Sequence, residues 1–137
     1  MTDRTIRVTT TRHMELVDIT AELSEAISRQ GVDSGVLYLF NPHTTAGLTI
    51  NEGADPDVQQ DIILGLTDMV SANLPYRHLE GNSVSHIMAL LTGSSLTVEI
   101  AGGRPVLGTW QKIFFCEYDG PRNRSVRWKI VGDNPTA

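Results

Sequence analysis

Three β-rich runs, SSLTVEI, LGTWQKIFFCEYD and SVRWKIVG, close the chain with no helical segment between them, only turn signals at Gly102-Gly103 and Gly120-Pro121. Such an ending excludes a regular strand–helix repeat. An earlier strand is read at Thr5 to Thr11, where polar residues alternate with apolar or β-branched ones. Gly35 to Phe40 and Gly47 to Asn51 are two further β-rich runs, separated by Asn41-Pro42-His43-Thr44-Thr45. Helices fall between these runs. Asp18 and Thr20 are capping residues before Ile19, Leu23 and Ile27, and Gly31 stops that helix. Pro56 opens a second helix over about 56 to 71, with Val58, Ile62, Leu66 and Met69 as its apolar face. Ser83 or Asn82 caps a third, through His86, Leu90 and Leu91 to Gly93. Strands before, between and after helices predict an α+β fold with largely antiparallel, sandwich-like sheets and about three helices.

At 137 residues, 40% of them hydrophobic, the chain suits a single domain over 1–137. A net charge of −5 argues against sequence-independent nucleic-acid binding, which needs a clustered basic surface. No run approaches the roughly 20 apolar residues of a membrane span, and MTDRTIRVTTTR lacks the apolar core of a secretion signal. The expected location is cytoplasmic. The one cysteine, Cys116, lies in an alternating strand and reads as a small buried hydrophobe. Trp110 and Trp128 indicate core or subunit packing.

Chemistry concentrates in residues 43 to 86. His43, His78 and His86 fall at the ends of expected elements, in a region that also carries Asn51, Glu52, Asp55, Asp57, Glu80 and Asn82. Three imidazoles that leave a position for water can bind a divalent metal, zinc in preference to magnesium. The alternative is that they are surface or hydrogen-bonded structural groups. A place near a helix N-terminus would hold His86 neutral, free to act as ligand or base. Asp55 and Asp57 flank Pro56 and suit a helix start. Thr44, Thr45, Ser94, Ser95, Arg122 and Arg124 can satisfy the oxygens of a small anionic or phosphorylated substrate.

The segments HTTAGLTINE (43–52) and ADPDV (54–58), followed in order by HLEGNSVSHIMALLTGSS (78–95) and LGTWQKIFFCEYDGPRNR (107–124), closely resemble the YjbQ family. The resemblance spans almost the whole chain. It implies an α+β fold, a homotrimer with a polar site near subunit boundaries, and a secondary thiamine-phosphate synthase-type activity. That activity joins hydroxymethylpyrimidine diphosphate to a thiazole phosphate and releases pyrophosphate. The family's shared polar residues match His43, Thr44, Thr45, Asn51, Glu52, Asp55, His78, Glu80, Asn82 and His86, then Trp110, Gln111, Asp119, Arg122 and Arg124. Gly53 and Val84-Ser85 depart from the residues common in relatives.

In the expected mechanism His43, His78 and His86 hold a divalent metal and, with Glu52, form the catalytic centre. Thr44, Thr45, Asn51, Asn82, Arg122 and Arg124 bind the substrate. A metal-dependent hydrolase of a phosphorylated metabolite and a non-catalytic small-ligand binding protein are the alternatives.

Overall fold

A computed structural model describes residues 3–133. The elements run β1 (Thr5–Thr9), β2 (Glu15–Asp18), α1 (Thr20–Gln30), β3 (Gly35–Phe40), β4 (Ala46–Glu52), α2 (Pro56–Met69), α3 (Ser83–Thr92), β5 (Ser95–Ala101), β6 (Arg104–Pro105), β7 (Gln111–Glu117) and β8 (Asn123–Gly132). They form a five-stranded sheet, β1-β8-β3-β5-β6, and a three-stranded sheet, β2-β7-β4. Every strand pair is antiparallel. The α+β architecture expected from the sequence is the one observed.

β7 explains the layering. In a strand successive side chains point to opposite faces, and Ile113 to Cys116 are all buried. Ile113 and Phe115 enter a core shared with the large sheet and α1, where they meet Leu23, Ile27, Leu37, Leu48 and Trp128. Phe114, Cys116 and Tyr118 face the other way, toward Met88, Ala89 and Val70, with Ile62 and Leu66 packed alongside. The small sheet is therefore the middle layer, with α2 and α3 over its outer face. Each fully buried phenylalanine contributes about 1.5–3 kcal/mol, so this alternating run fixes which face of β7 meets which layer.

The helices fall where expected, but the side-chain N-caps read for α1 and α3 are absent: Ile19 is the N-cap of α1 and Asn82 that of α3, and neither side chain makes a capping hydrogen bond. Gly31 ends α1 in the left-handed region at φ 65°, where a side chain would be strained. Asp55 is the N-cap of α2 and accepts a hydrogen bond from the Asp57 N–H at 2.9 Å, the helix-start role read for this pair. On α2, however, Met69 is 71% exposed, and the buried contact passes to Val70 just beyond the helix end. On α3 the buried face is Ser85, Met88 and Ala89, leaving Leu90 and Leu91 outside. Trp128 is a core residue, whereas Trp110 is 63% exposed. Among the described residues no helix is long and apolar enough to cross a membrane.

Candidate functional site

An open cleft of about 400 Å³ lies where the 42–45 loop, the 78–82 loop, the start of α3 and the β7–β8 turn converge. Its wall carries His43, Thr44, Thr45, His78, Glu80, Asn82, His86, Asp119, Arg122 and Arg124. The three histidines expected to share a pocket therefore do so, together with two threonines, Asn82 and both arginines.

The first segment is shaped by Asn41, which is almost fully buried. Its Oδ1 accepts from the His43 N–H at 3.0 Å, and its Nδ2 donates to the Ala46 carbonyl at 2.7 Å and the His43 carbonyl at 3.3 Å. One amide thus satisfies backbone groups that a turn of this kind leaves unpaired. It also aims two neighbours. The Thr44 carbonyl accepts from His86 Nδ1 at 3.0 Å, and a carbonyl has no proton to give, so Nδ1 carries the hydrogen. Neutral His86 then has its lone pair on Nε2. His78 stands edge-on to it, ring centroids 5.3 Å apart.

His43 is differently committed. Its Nε2 accepts from the Ser125 N–H at 3.0 Å, which fixes the opposite tautomer and uses the lone pair. Burial, followed by the nearby Arg124 charge, holds its pKa below the ordinary value of 6.5. This histidine is a neutral structural group that ties the cleft wall to β8.

Beneath the cleft lies a buried ion pair. Glu117 is fully buried and Arg124 nearly so. Glu117 Oε1 accepts from Thr10 Oγ1 at 2.7 Å and Arg124 Nε at 2.9 Å, while Oε2 accepts from Arg124 Nη2 and from the Asp119 N–H at 3.1 Å. Arg124 Nη2 also donates to Thr45 Oγ1 at 2.9 Å. Burial alone would raise the Glu117 pKa, but the hydrogen bonds from Arg124, Thr10 and Asp119, with the Arg124 charge, bring it below its usual value. Nearer solvent, Asp119 Oδ2 accepts from Asn82 Nδ2 at 2.9 Å and Arg122 Nη2 at 3.2 Å. Burial raises the Asp119 pKa. The Asn82 and Arg122 hydrogen bonds and the Arg122 and His13 charges more than offset it, so the net shift is downward. Because Asp119 holds the amide N–H of Asn82, the amide orientation is set, and its buried Oδ1 has no partner.

Four candidate residues, Asn51, Glu52, Ser94 and Ser95, lie outside the cleft. Glu52 and Asn51 end β4, while Ala46, beside the cleft, begins it. Six strand steps of about 3.4 Å put Glu52 roughly 20 Å from the cleft within one chain. Glu52 Oε2 instead accepts from the Ala54 and Asp55 N–H groups at 2.5 and 2.9 Å, and Asn51 Oδ1 accepts from the Glu52 N–H at 2.7 Å. Both organise the entry to α2. Among the described residues no three His, Cys, Asp or Glu side chains form a metal-ligating group. One chain offers His86 Nε2 and His78, since the His43 lone pair is taken. Ser94 and Ser95 do not line the cleft. Glu117 and Asn41 were not among the expected site residues, although an acid after the apolar run IFFC and an Asn-Pro turn before His43 both mark them in the sequence.

Layered antiparallel sheets with a histidine- and arginine-lined cleft at a strand–helix junction define an α+β protein with a small-molecule-sized site. Residues 4–133 match the family model described as UPF0047 protein YjbQ-like, and the chain belongs to that family. It is 50% identical to a UPF0047 protein of Methanocaldococcus jannaschii over 93% of this chain and 92% of that one. It is 42% identical to the UPF0047 protein YugU of Bacillus subtilis, over 94% and 98%. Among solved structures, a YjbQ/UPF0047-family protein of Clostridium acetobutylicum superposes with a TM-score of 0.90 at 46% identity, covering 93% of this chain and 98% of that one. A hypothetical protein of Aeropyrum pernix gives 0.89 at 34% identity, covering 97% and 100%.

Proposed function

We propose that the cleft is the active site of a phosphate-handling enzyme of the thiamine-phosphate synthase type. In this reaction the bond between the pyrimidine methylene carbon and the diphosphate oxygen breaks, and its electron pair leaves with pyrophosphate. The thiazole ring nitrogen supplies the pair for the new carbon–nitrogen bond. His86 in its imidazolium form, with Nδ1–H held by the Thr44 carbonyl, gives its Nε2 proton to the departing oxygen, while Arg122, Arg124, Asn82 and the Thr44 and Thr45 hydroxyls hold anionic oxygens. The observation that carries this reading is the hydrogen bond from His86 Nδ1 to the Thr44 carbonyl, which leaves Nε2 uncommitted in the cleft beside His78.

A metal-dependent hydrolase of a phosphorylated metabolite is the second reading, favoured by the His78–His86 pair. Imidazole donors suit zinc better than magnesium. Two imidazoles do not make a resident site. A homotrimer with the cleft near a subunit boundary accords with the exposure of Leu79 in the 78–82 loop and of Leu90 and Leu91 on α3. A cytoplasmic setting accords with the lone buried thiol, and the substrate is a phosphorylated metabolite and not a nucleic acid.

The test is turnover of hydroxymethylpyrimidine diphosphate and thiazole phosphate by tag-free protein, with zinc measured by elemental analysis. Loss of a positioned acid costs about 100-fold or more, so His86→Ala is expected to lower kcat/KM by at least that much. Product formation unchanged in His86→Ala would refute the proposed role. Hydrolysis of a phosphorylated metabolite by zinc-loaded protein, with no thiamine phosphate formed, would establish the second reading.

A further inference from the structure

A second hollow, of about 350 Å³, lies on the β1–β8 side of the cleft and is lined by Arg7, Thr9, Asn123, Arg124 and Ser125. We infer that it is a separate anion-binding subsite for a phosphate group. Arg7, Thr9, Asn123 and Ser125 bring side-chain hydrogen-bond donors and no lining residue is a carboxylate, although acids outnumber bases 16 to 11 in the chain; the Arg124 guanidinium is turned to Glu117 and Thr45 on the other face of β8. The cleft differs in carrying Glu80 and Asp119. Arg7 is exposed, and among the described residues it makes no ion pair. Register brings the donors together: Arg7 stands opposite Ser125, and Thr9 opposite Asn123, with both pairs on the outward face of the sheet. The Thr9 hydroxyl donates to Asn123 Oδ1 at 3.3 Å, which occupies the amide oxygen and leaves the Nδ2 donors for a ligand. Guanidinium, amide and hydroxyl donors without a competing acid are the groups that satisfy phosphate oxygens.

The hollow is joined to the cleft. Arg124 borders both, its guanidinium turned to Glu117 and Thr45 beneath the cleft, and the Ser125 N–H that His43 receives comes from a residue that lines the hollow. The inference rests on the proposed function for its use: a reaction between two phosphorylated molecules needs a place for each anion, and the hollow supplies the second. Binding itself does not depend on turnover.

Inorganic phosphate is the probe. It is titrated into the full chain at constant ionic strength, and the backbone amides are followed by two-dimensional nitrogen–proton NMR. Saturable shifts at Arg7, Thr9, Asn123 and Ser125 are expected. Arg7→Gln, on an exposed position, is expected to weaken binding at those amides at least fivefold, and Asn123→Ala about threefold. His86→Ala is expected to leave that affinity within twofold, which separates the subsite from cleft chemistry. The inference is overturned if those amides show no saturable shift, if shifts are confined to the cleft, or if Arg7→Gln binds phosphate like the parent protein.

Discussion

Replacing Glu117 by glutamine removes one charge from the most buried polar group of the protein while keeping its shape. The two carboxylate oxygens receive four hydrogen bonds, two of them from Arg124. A glutamine amide presents only one oxygen. If its NH2 replaces Oε1 it meets Thr10 Oγ1 and Arg124 Nε; if it replaces Oε2 it meets Arg124 Nη2 and the Asp119 N–H. Either way donors face donors, and a guanidinium is left buried without its counter-charge. Breaking a buried pair in this way costs about 3–5 kcal/mol, a large part of the roughly 5–15 kcal/mol that stabilises a domain. At about 3 °C per kcal/mol for a chain of this length, Glu117→Gln should lower Tm by roughly 10–15 °C. Urea unfolding followed by circular dichroism measures the loss directly. The exposed Arg29–Glu25 pair on α1 is the control, and Arg29→Ala should stay within about 0.5 kcal/mol of the parent. The pH dependence has a defined sign. The folded-state pKa of Glu117 lies below its ordinary value of 4.5, so the stabilisation is complete above that pH and is lost as pH falls through the folded value. The gap between parent and Glu117→Gln should therefore narrow below about pH 4.5. A loss under about 1 kcal/mol at neutral pH would contradict the buried-pair account.

Three other outcomes follow from the same geometry. A β-carbon on Gly120 would run into the Arg12 carbonyl and lie 2.8 Å from Glu117 Cγ and Thr10 Oγ1; Gly120→Ala should cost about 1–3 kcal/mol in urea unfolding, and no measurable loss would contradict this close approach. Burial pushes the Cys116 thiol up to about 12, so an aromatic disulfide reagent should leave the native protein unlabelled and react with one thiol per chain in urea; rapid native labelling would place Cys116 nearer the surface. His43 has a lowered pKa, so it should remain neutral with its proton on Nδ1 near pH 6.5, and its contribution to stability should be lost as pH falls below that of an unfolded histidine. Ring-nitrogen NMR reads this state directly, and a protonated His43 at pH 6.5 would contradict it.

Periodicity and punctuation made most of the fold legible. Leu23 and Ile27 before Gly31, and Pro56 before Ile62 and Leu66, describe α1 and α2 because the packed faces there are the apolar ones. β2 and β6, of four and two residues, are too short to carry a period. The candidate site was legible as a neighbourhood and less so as geometry. His78 and His86 meet because the 78–82 loop leads directly into α3. Glu52, nine residues from His43, is carried away because the chain between them extends as a strand. Glu117 shares the face of Ile113 and Phe115, and its role depends on that face meeting Thr10 and Arg124, a packing of the two sheets that no local pattern states.

The role proposed for His86 Nε2, in the cleft shared with Asn82 and Arg122, is to meet the phosphate group of a small substrate. A crystal structure of the protein with hydroxymethylpyrimidine diphosphate bound tests it most directly. A diphosphate oxygen is expected within hydrogen-bonding distance of His86 Nε2, with Arg122 or Arg124 on the neighbouring oxygens. A ligand bound away from the 42–45 and 78–82 loops, with His86 untouched, would contradict it.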